Sequence, residues 1–201
     1  MKRGVVIILL CFLCTLASGS EPYPRFTYGG ECSYIGSFLS GKHQYFYAPE
    51  GFREEIRENY IEYHTNTEAG VHIGYNFNPN WNLSLHIGYT RLGKWHPAIP
   101  VTLRATRYFG TDPNKDRWFG FVDFGSGVSI KDRPQEIITG KIGGGYRLSL
   151  SRCTKLDFII SFRLTYTHPD VVFYDEIISR DQTITNNAYI SGLSFGIGIT
   201  F

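Results

Sequence analysis

After residue 20 this chain contains no apolar run longer than a few residues, so its body never reaches the ~20 apolar residues that a transmembrane helix requires. Apolar residues also fail to recur at intervals of three and four, which argues against an amphipathic helical bundle. Cysteine is scarce, 4 in 201 residues, and Cys11 and Cys14 lie in the N-terminal leader. That leaves Cys32 and Cys153, which the strand order below puts two strands apart and at different heights, beyond the ~7 Å Cα separation a disulfide tolerates. Both are expected to be free and structural. Net charge is lacking too. Removing residues 1–20 takes Lys2 and Arg3 from the 20 basic residues and nothing from the 18 acidic ones, so the remaining chain is formally neutral. A neutral chain offers no electrostatic footprint for nucleic acid. No third ligand stands at a metal-binding spacing, and neither a metal nor an organic cofactor is expected.

The leader pairs a basic start with an apolar run from Val5 to Leu16 and small residues at Ala17, Ser18, Gly19 and Ser20. It reads as a secretory signal removed after residue 20, leaving 21–201 as one domain. A lipoprotein-type acylation site wants a small residue before its cysteine, and a leucine precedes both Cys11 and Cys14.

What the chain does have is aromatics, 16% of residues, and 22 glycines, arranged with period 2. The clearest stretch is the last. Leu193, Phe195, Ile197, Ile199 and Phe201 alternate with Gly192, Ser194, Gly196, Gly198 and Thr200, a strand with one greasy and one small face. Seven more stretches alternate in the same way: Arg25–Leu39, Tyr60–Phe77, Leu83–Arg91, Ile99–Phe109, Trp118–Ile130, Ile138–Leu150 and Leu156–Thr167. Asn78-Pro79-Asn80 is a turn signal, and the connections after the second, fourth and sixth strands are short. The first and last connections, 40–59 and 168–187, are long. Within them R-E-E-I-R-E is expected to form a short helical turn, and V-V-F-Y-D-E-I-I to extend the hairpin of the last two strands. Arg107 disturbs the phase of its strand, which a bulge or snorkelling to an interface would accommodate.

The terminal strand resembles the C-terminal sorting strand of bacterial outer-membrane β-barrels, which ends on an aromatic with apolar residues at alternate positions upstream. With eight alternating strands, the fold expected is an all-β, eight-stranded antiparallel up-and-down transmembrane β-barrel. The resemblance implies residence in the bacterial outer membrane, contact with its lipids and lipopolysaccharide, and recognition of Phe201, Ile199, Ile197, Phe195 and Leu193 by the barrel-insertion machinery. A monomer is expected. The rival fold is a soluble lipid-carrier barrel, which keeps apolar residues inside. Here the charges share a face with most of the glycines, which suits a crowded interior.

That inward face collects Glu31, Glu62, Glu68, Asp123 and Asp157 against Arg104, Lys141, Arg147 and Arg163. Near balance of sign predicts an ionic network filling the lumen rather than an open ion path. His64, His72 and His86 share the face, with His72 opposite or diagonal to His86. Two families of small barrel similar in fold act on lipid A, a deacylase and a palmitoyltransferase. F-V-D-F-G-S-G-V and K-I-G-G-G-Y are similar to strand segments of many such barrels. The deacylase carries a His-x-Ser pair on a late strand, whereas this chain has T-H-P-D at Thr167–Asp170. What remains for catalysis is a set of His168, Asp170 and Ser191, with His96 on a neighbouring loop. A structural or loop-mediated binding and adhesion role is the leading expectation. An extracellular partner would then meet loops 40–59 and 168–187, with Phe46, Tyr47, Phe52, Phe173 and Tyr174 as contact candidates.

Overall fold

The computed structural model describes residues 23–49, 51–61, 63–92, 96–130, 136–174 and 176–201. The leader and Glu62 lie outside these residues. Strands run β1 (Phe26–Tyr47), β2 (Arg53–Tyr60), β3 (His64–Asn78), β4 (Trp81–Leu92), β5 (His96–Tyr108) and β6 (Arg117–Ser129). They continue as β7 (Glu136–Ser149), β8 (Lys155–Thr167), β9 (Val172–Phe173), β10 (Glu176–Ile177) and β11 (Thr183–Thr200). Each of β3 to β8 pairs antiparallel with its neighbour, β3 pairs with β1, and β11 pairs with both β8 and β1. Those eight strands therefore close into a barrel.

The alternation in the sequence is the alternation of the wall. Val71, Ile87, Val122, Phe124, Ile142, Ile160, Phe195 and Ile197 point outward and are exposed, while Thr102, Arg104, Asp123, Lys141, Asp157 and Arg163 are buried inside. So continuous an apolar outer face is that of a wall facing lipid. The short-turn end is closed by side chains that cap their own turns. Asn78 Oδ1 accepts from the amides of Asn80 and Trp81, and Ser151 Oγ accepts from those of Cys153 and Thr154. Aromatics ring that end: Trp118 meets Tyr146 at 4.9 Å and Phe26 meets Tyr75 at 5.3 Å, edge to face. Arg107 belongs to this ring. It keeps its outward phase without a bulge, its guanidinium 5.5 Å from the Trp81 ring and 5.7 Å from that of Phe109. Of the two accommodations expected, snorkelling is the one adopted.

The opposite end departs from the sequence reading in three ways. First, R-E-E-I-R-E is not helical. It lies in β2, paired residue by residue with β1 from Ser40↔Tyr60 to Tyr47↔Arg53. Second, β1 does not stop near Leu39 but runs 22 residues to Tyr47, and β11 starts at Thr183 to follow it. Third, the segment at 171–178 does not extend the β8–β11 hairpin. Pairing of β8 with β11 ends at Thr167↔Ala188, and β9 and β10 form a separate two-stranded sheet. The reason is one apolar cluster. Phe46, fully buried, packs with Val171 and Ile178, and Ile56 and Phe173 close over it. Three strands (β2, β1, β11) and a small hairpin thus form a platform standing above the barrel rim.

Candidate functional site

Two places concentrate chemistry, the lumen and the platform. The lumen holds three ionic clusters, of which those around Arg104 and Glu68 tie non-neighbouring strands together and that of Arg147 joins the adjacent β7 and β8. Arg104 donates to Asp123 Oδ2 through Nε at 3.1 Å and Nη2 at 3.0 Å, and to Glu31 Oε2 through Nη1 at 2.7 Å. Glu68 receives Lys141 Nζ on one oxygen and Arg163 Nη1 on the other. Arg147 forks onto Asp157 at 2.6 and 2.7 Å, with Thr200 Oγ1 donating to the same carboxylate at 3.1 Å. Such forked, charge-assisted bonds suit the planar guanidinium. Glu62, expected in this network, lies outside the described residues.

Alternation also places an apolar group inside, which the sequence reading missed. Tyr108, Phe119, Phe121 and Ile159 form a buried cluster near the short-turn end. It serves the cations as well as the core, because Arg104 lies 4.3 Å over the Phe121 ring and Arg147 4.5 Å over that of Tyr108. Two further inward cations, Arg117 and Lys155, were missed as well. Each opens its strand one residue before the stretch recognised in the sequence, in the inward phase of Asp123 and Asp157 respectively.

His72 and His86 are direct cross-strand partners with rings stacked at 4.9 Å and 24°. Ser84 Oγ shares a hydrogen bond with His86 Nε2 at 2.9 Å. Gly29 makes the room, since a Cβ there would meet His72 Cε1 at 2.8 Å and the Ile199 carbonyl at 2.0 Å. His64 pairs with Ser37 and stands eight residues up the same strand, about 26 Å from His72 at ~3.3 Å per residue. The third histidine is therefore apart from the pair. Among the described residues no group of three or more His, Cys, Asp or Glu converges in a way that would hold a metal ion.

Two small interior cavities, of about 20 and 10 Å³, flank the ionic clusters, each with space for roughly one water. Among the described residues, side chains fill the bore between these cavities. Purified protein in planar bilayers is expected to show no stable ohmic conductance, and a reproducible open level from the unmodified chain would contradict the filled lumen.

On the platform, Phe46 is not a contact residue. It is the buried centre, with Phe173 5.4 Å away edge to face and Phe52 against Phe173 at 6.3 Å. Phe52 and Tyr174 are exposed, and Tyr47 accepts from Arg53 Nη2 at 2.8 Å. Glu55 takes His43 Nε2 at 3.1 Å and Arg57 Nε at 2.7 Å, and these contacts, the histidine hydrogen bond foremost, hold its carboxyl below the usual range. The residues considered for catalysis do not form a working set. His168 Nδ1 is bonded to the Asn186 carbonyl and its ring lies against Tyr166. Ser191 is buried and pairs with Leu164, three residues down from Thr167, about 10 Å along the strand. A nucleophile needs its base within hydrogen-bond reach. The side chain of His96 lies outside the described residues. Cys32 is exposed on the outer wall and Cys153 is half-buried in a turn, both free.

No family model and no curated sequence matches the chain. Solved structures do. The outer membrane protein OprG from Pseudomonas aeruginosa superposes with a TM-score of 0.52 at 12% identity, over 89% of this chain and 96% of that one. Neisserial surface protein A gives 0.49 at 11% identity over 92% and 100%, and the N-terminal barrel domain of Pseudomonas aeruginosa OprF gives 0.44 at 15% over 86% and 99%. At such identities the likeness is one of fold. The chain has the fold of a small outer-membrane β-barrel, eight antiparallel strands closed on themselves with an apolar wall outside and a charged, filled interior.

Proposed function

We propose that the protein resides in the outer membrane as a non-conducting barrel and acts through its platform, binding an extracellular partner or surface. The observation that carries this reading is the platform's own apolar core around Phe46, which fixes β2 and the β9–β10 hairpin above the rim. Compact loops packed on their own side chains are frequently functional. Its outer surface is apolar at Phe52, Val172, Tyr174, Ile177 and Ile184. Tyr174, at the hairpin tip, is 82% exposed and held at φ 46, the left-handed region that costs a side-chain-bearing residue roughly 1–2 kcal/mol. Strain at an exposed aromatic tip fits a contact residue better than a bare connection.

Replacing 41–59 and 169–186 by short turns tests this reading. The trimmed barrel is expected to fold, because its wall and ionic clusters lie below the cut. Cells carrying it are expected to lose adhesion to an epithelial monolayer that cells with the intact chain display. Equal adhesion by both would move the function to the wall or the short turns. The enzyme reading is tested alongside by mass spectrometry of lipid A from cells with and without the protein. Identical acylation is expected, and an acyl chain gained or lost in a His168-dependent way would replace the binding role with catalysis.

A further inference from the structure

At the short-turn end the barrel closes over a cavity of about 20 Å³ where the N-terminal segment, three turns and the last residue of β11 meet. Three buried cations line it, Arg117, Arg147 and Lys155. Among the described residues only one of them has an acid in direct contact. Arg147 is held by Asp157, its fork complete. Arg117 Nη1 donates to the Pro79 carbonyl at 2.7 Å and its guanidinium lies 4.1 Å over the Tyr108 ring. Its Nε is buried and has no hydrogen-bond partner. Lys155 Nζ meets only Ser149 Oγ and the Ser151 carbonyl. The acids of the neighbouring turns are engaged elsewhere: Asp112 faces Lys115 at 3.8 Å and accepts the Asn114 amide, and Asp116 accepts the Ser149 amide. Two buried positive charges thus make no ion-pair contact among the described residues, with Asp112 and Asp157 acting on them only through space, although buried ions are ordinarily paired directly.

We propose that this mouth is a binding site for a phosphate-type oxyanion, held between Arg117 Nε and Lys155 Nζ. The cavity admits about one oxygen atom of the size of water, so the anion seats one oxygen inside and leaves its body in the open mouth. Arginine and lysine divide the work as elsewhere in phosphate recognition, a directed N–H from one and a point charge from the other. The same chemistry is offered by a phospholipid headgroup of the adjoining leaflet and by free phosphate.

The probe is inorganic phosphate, titrated into the protein in a phosphate-free detergent at constant ionic strength and read by the midpoint of thermal unfolding and by calorimetry. Saturable binding is expected, weakened about tenfold or more in Arg117→Gln and in Lys155→Gln, the scale of one charge-assisted bond. Arg152→Gln, in the same turn but exposed, is the control and should bind as the parent does. Lys155 packs on no ring, so Lys155→Gln keeps the test valid if Arg117→Gln fails to fold. Repeating the titration in phospholipid vesicles separates the sources. Loss of phosphate binding there assigns the site to headgroups, and retention assigns it to the free ion. No saturable binding in detergent, or equal weakening in Arg152→Gln, overturns the proposal.

Discussion

Arg104→Ala is expected to destabilise the barrel by at least about 3–5 kcal/mol, the cost of stranding one buried charge. Here two carboxylates are stranded. Asp123 is 1% exposed, and both of Arg104's bonds to it fall on Oδ2, while Oδ1 has no partner at all. Glu31 loses its single guanidinium bond from across the bore in the same step. The loss is read from urea unfolding in lipid vesicles, where folded barrel resists heat and protease. If the cost arises from unpaired charge, removing all three charges together (Arg104→Met with Glu31→Gln and Asp123→Asn) should recover most of it, since a neutral set leaves no ion to desolvate. A single variant as stable as the parent would show that the lumen admits water freely. A triple variant no better than the single one would put the cost in packing over Phe121 instead.

Phe201→Ser is expected to lower severalfold the amount of folded protein that reaches the membrane. Two effects converge on this residue. Its ring stacks on Tyr28 at 5.5 Å and 23°, and Tyr28 and Phe201 exchange backbone hydrogen bonds of 3.1 and 2.8 Å at the seam where the last strand meets the first. The stack contributes about 0.5–1.5 kcal/mol beyond its burial. The second effect is the resemblance of the terminal strand to an insertion signal, which acts before the barrel exists. Tyr28→Ser separates them, because it removes the stack and keeps the terminal aromatic. If insertion depends on the signal, Phe201→Ser lowers the heat-modifiable band in cells far more than Tyr28→Ser does, while both refold in detergent with similar stability. Equal losses in cells would reduce Phe201 to a seam contact.

The strands were legible because a wall with lipid on one side and a crowded interior on the other imposes period 2 on every residue it contains. Leu193 to Phe201 needs no partner to be recognised, and the Asn78-Pro79-Asn80 turn brings His72 opposite or diagonal to His86, the direct pairing being set by the register shift between Asn76 and Asn78. Legibility failed where a residue type suits both faces. Trp118, Phe119, Phe121, Val122 and Phe124 are apolar in both phases, so the inward cluster of Phe119 and Phe121 is hidden in the sequence. It failed again where a boundary slipped by one residue, which cost Arg117 and Lys155.

By itself, then, the sequence determined the closed antiparallel architecture, most of the charges facing inward and the even count that puts both described ends at the short turns. Tertiary structure alone decided which charges meet across the bore. Glu68 and Arg163 are 95 residues apart and Glu31 and Arg104 are 73 apart, and neither pair lies on neighbouring strands, so barrel closure and shear select the partners. It alone decided the platform as well. A stretch such as R-E-E-I-R-E has one apolar residue, too few to show a period, and its strand form comes from pairing with the edge of β1 and from Ile56 packing against the Phe46 cluster.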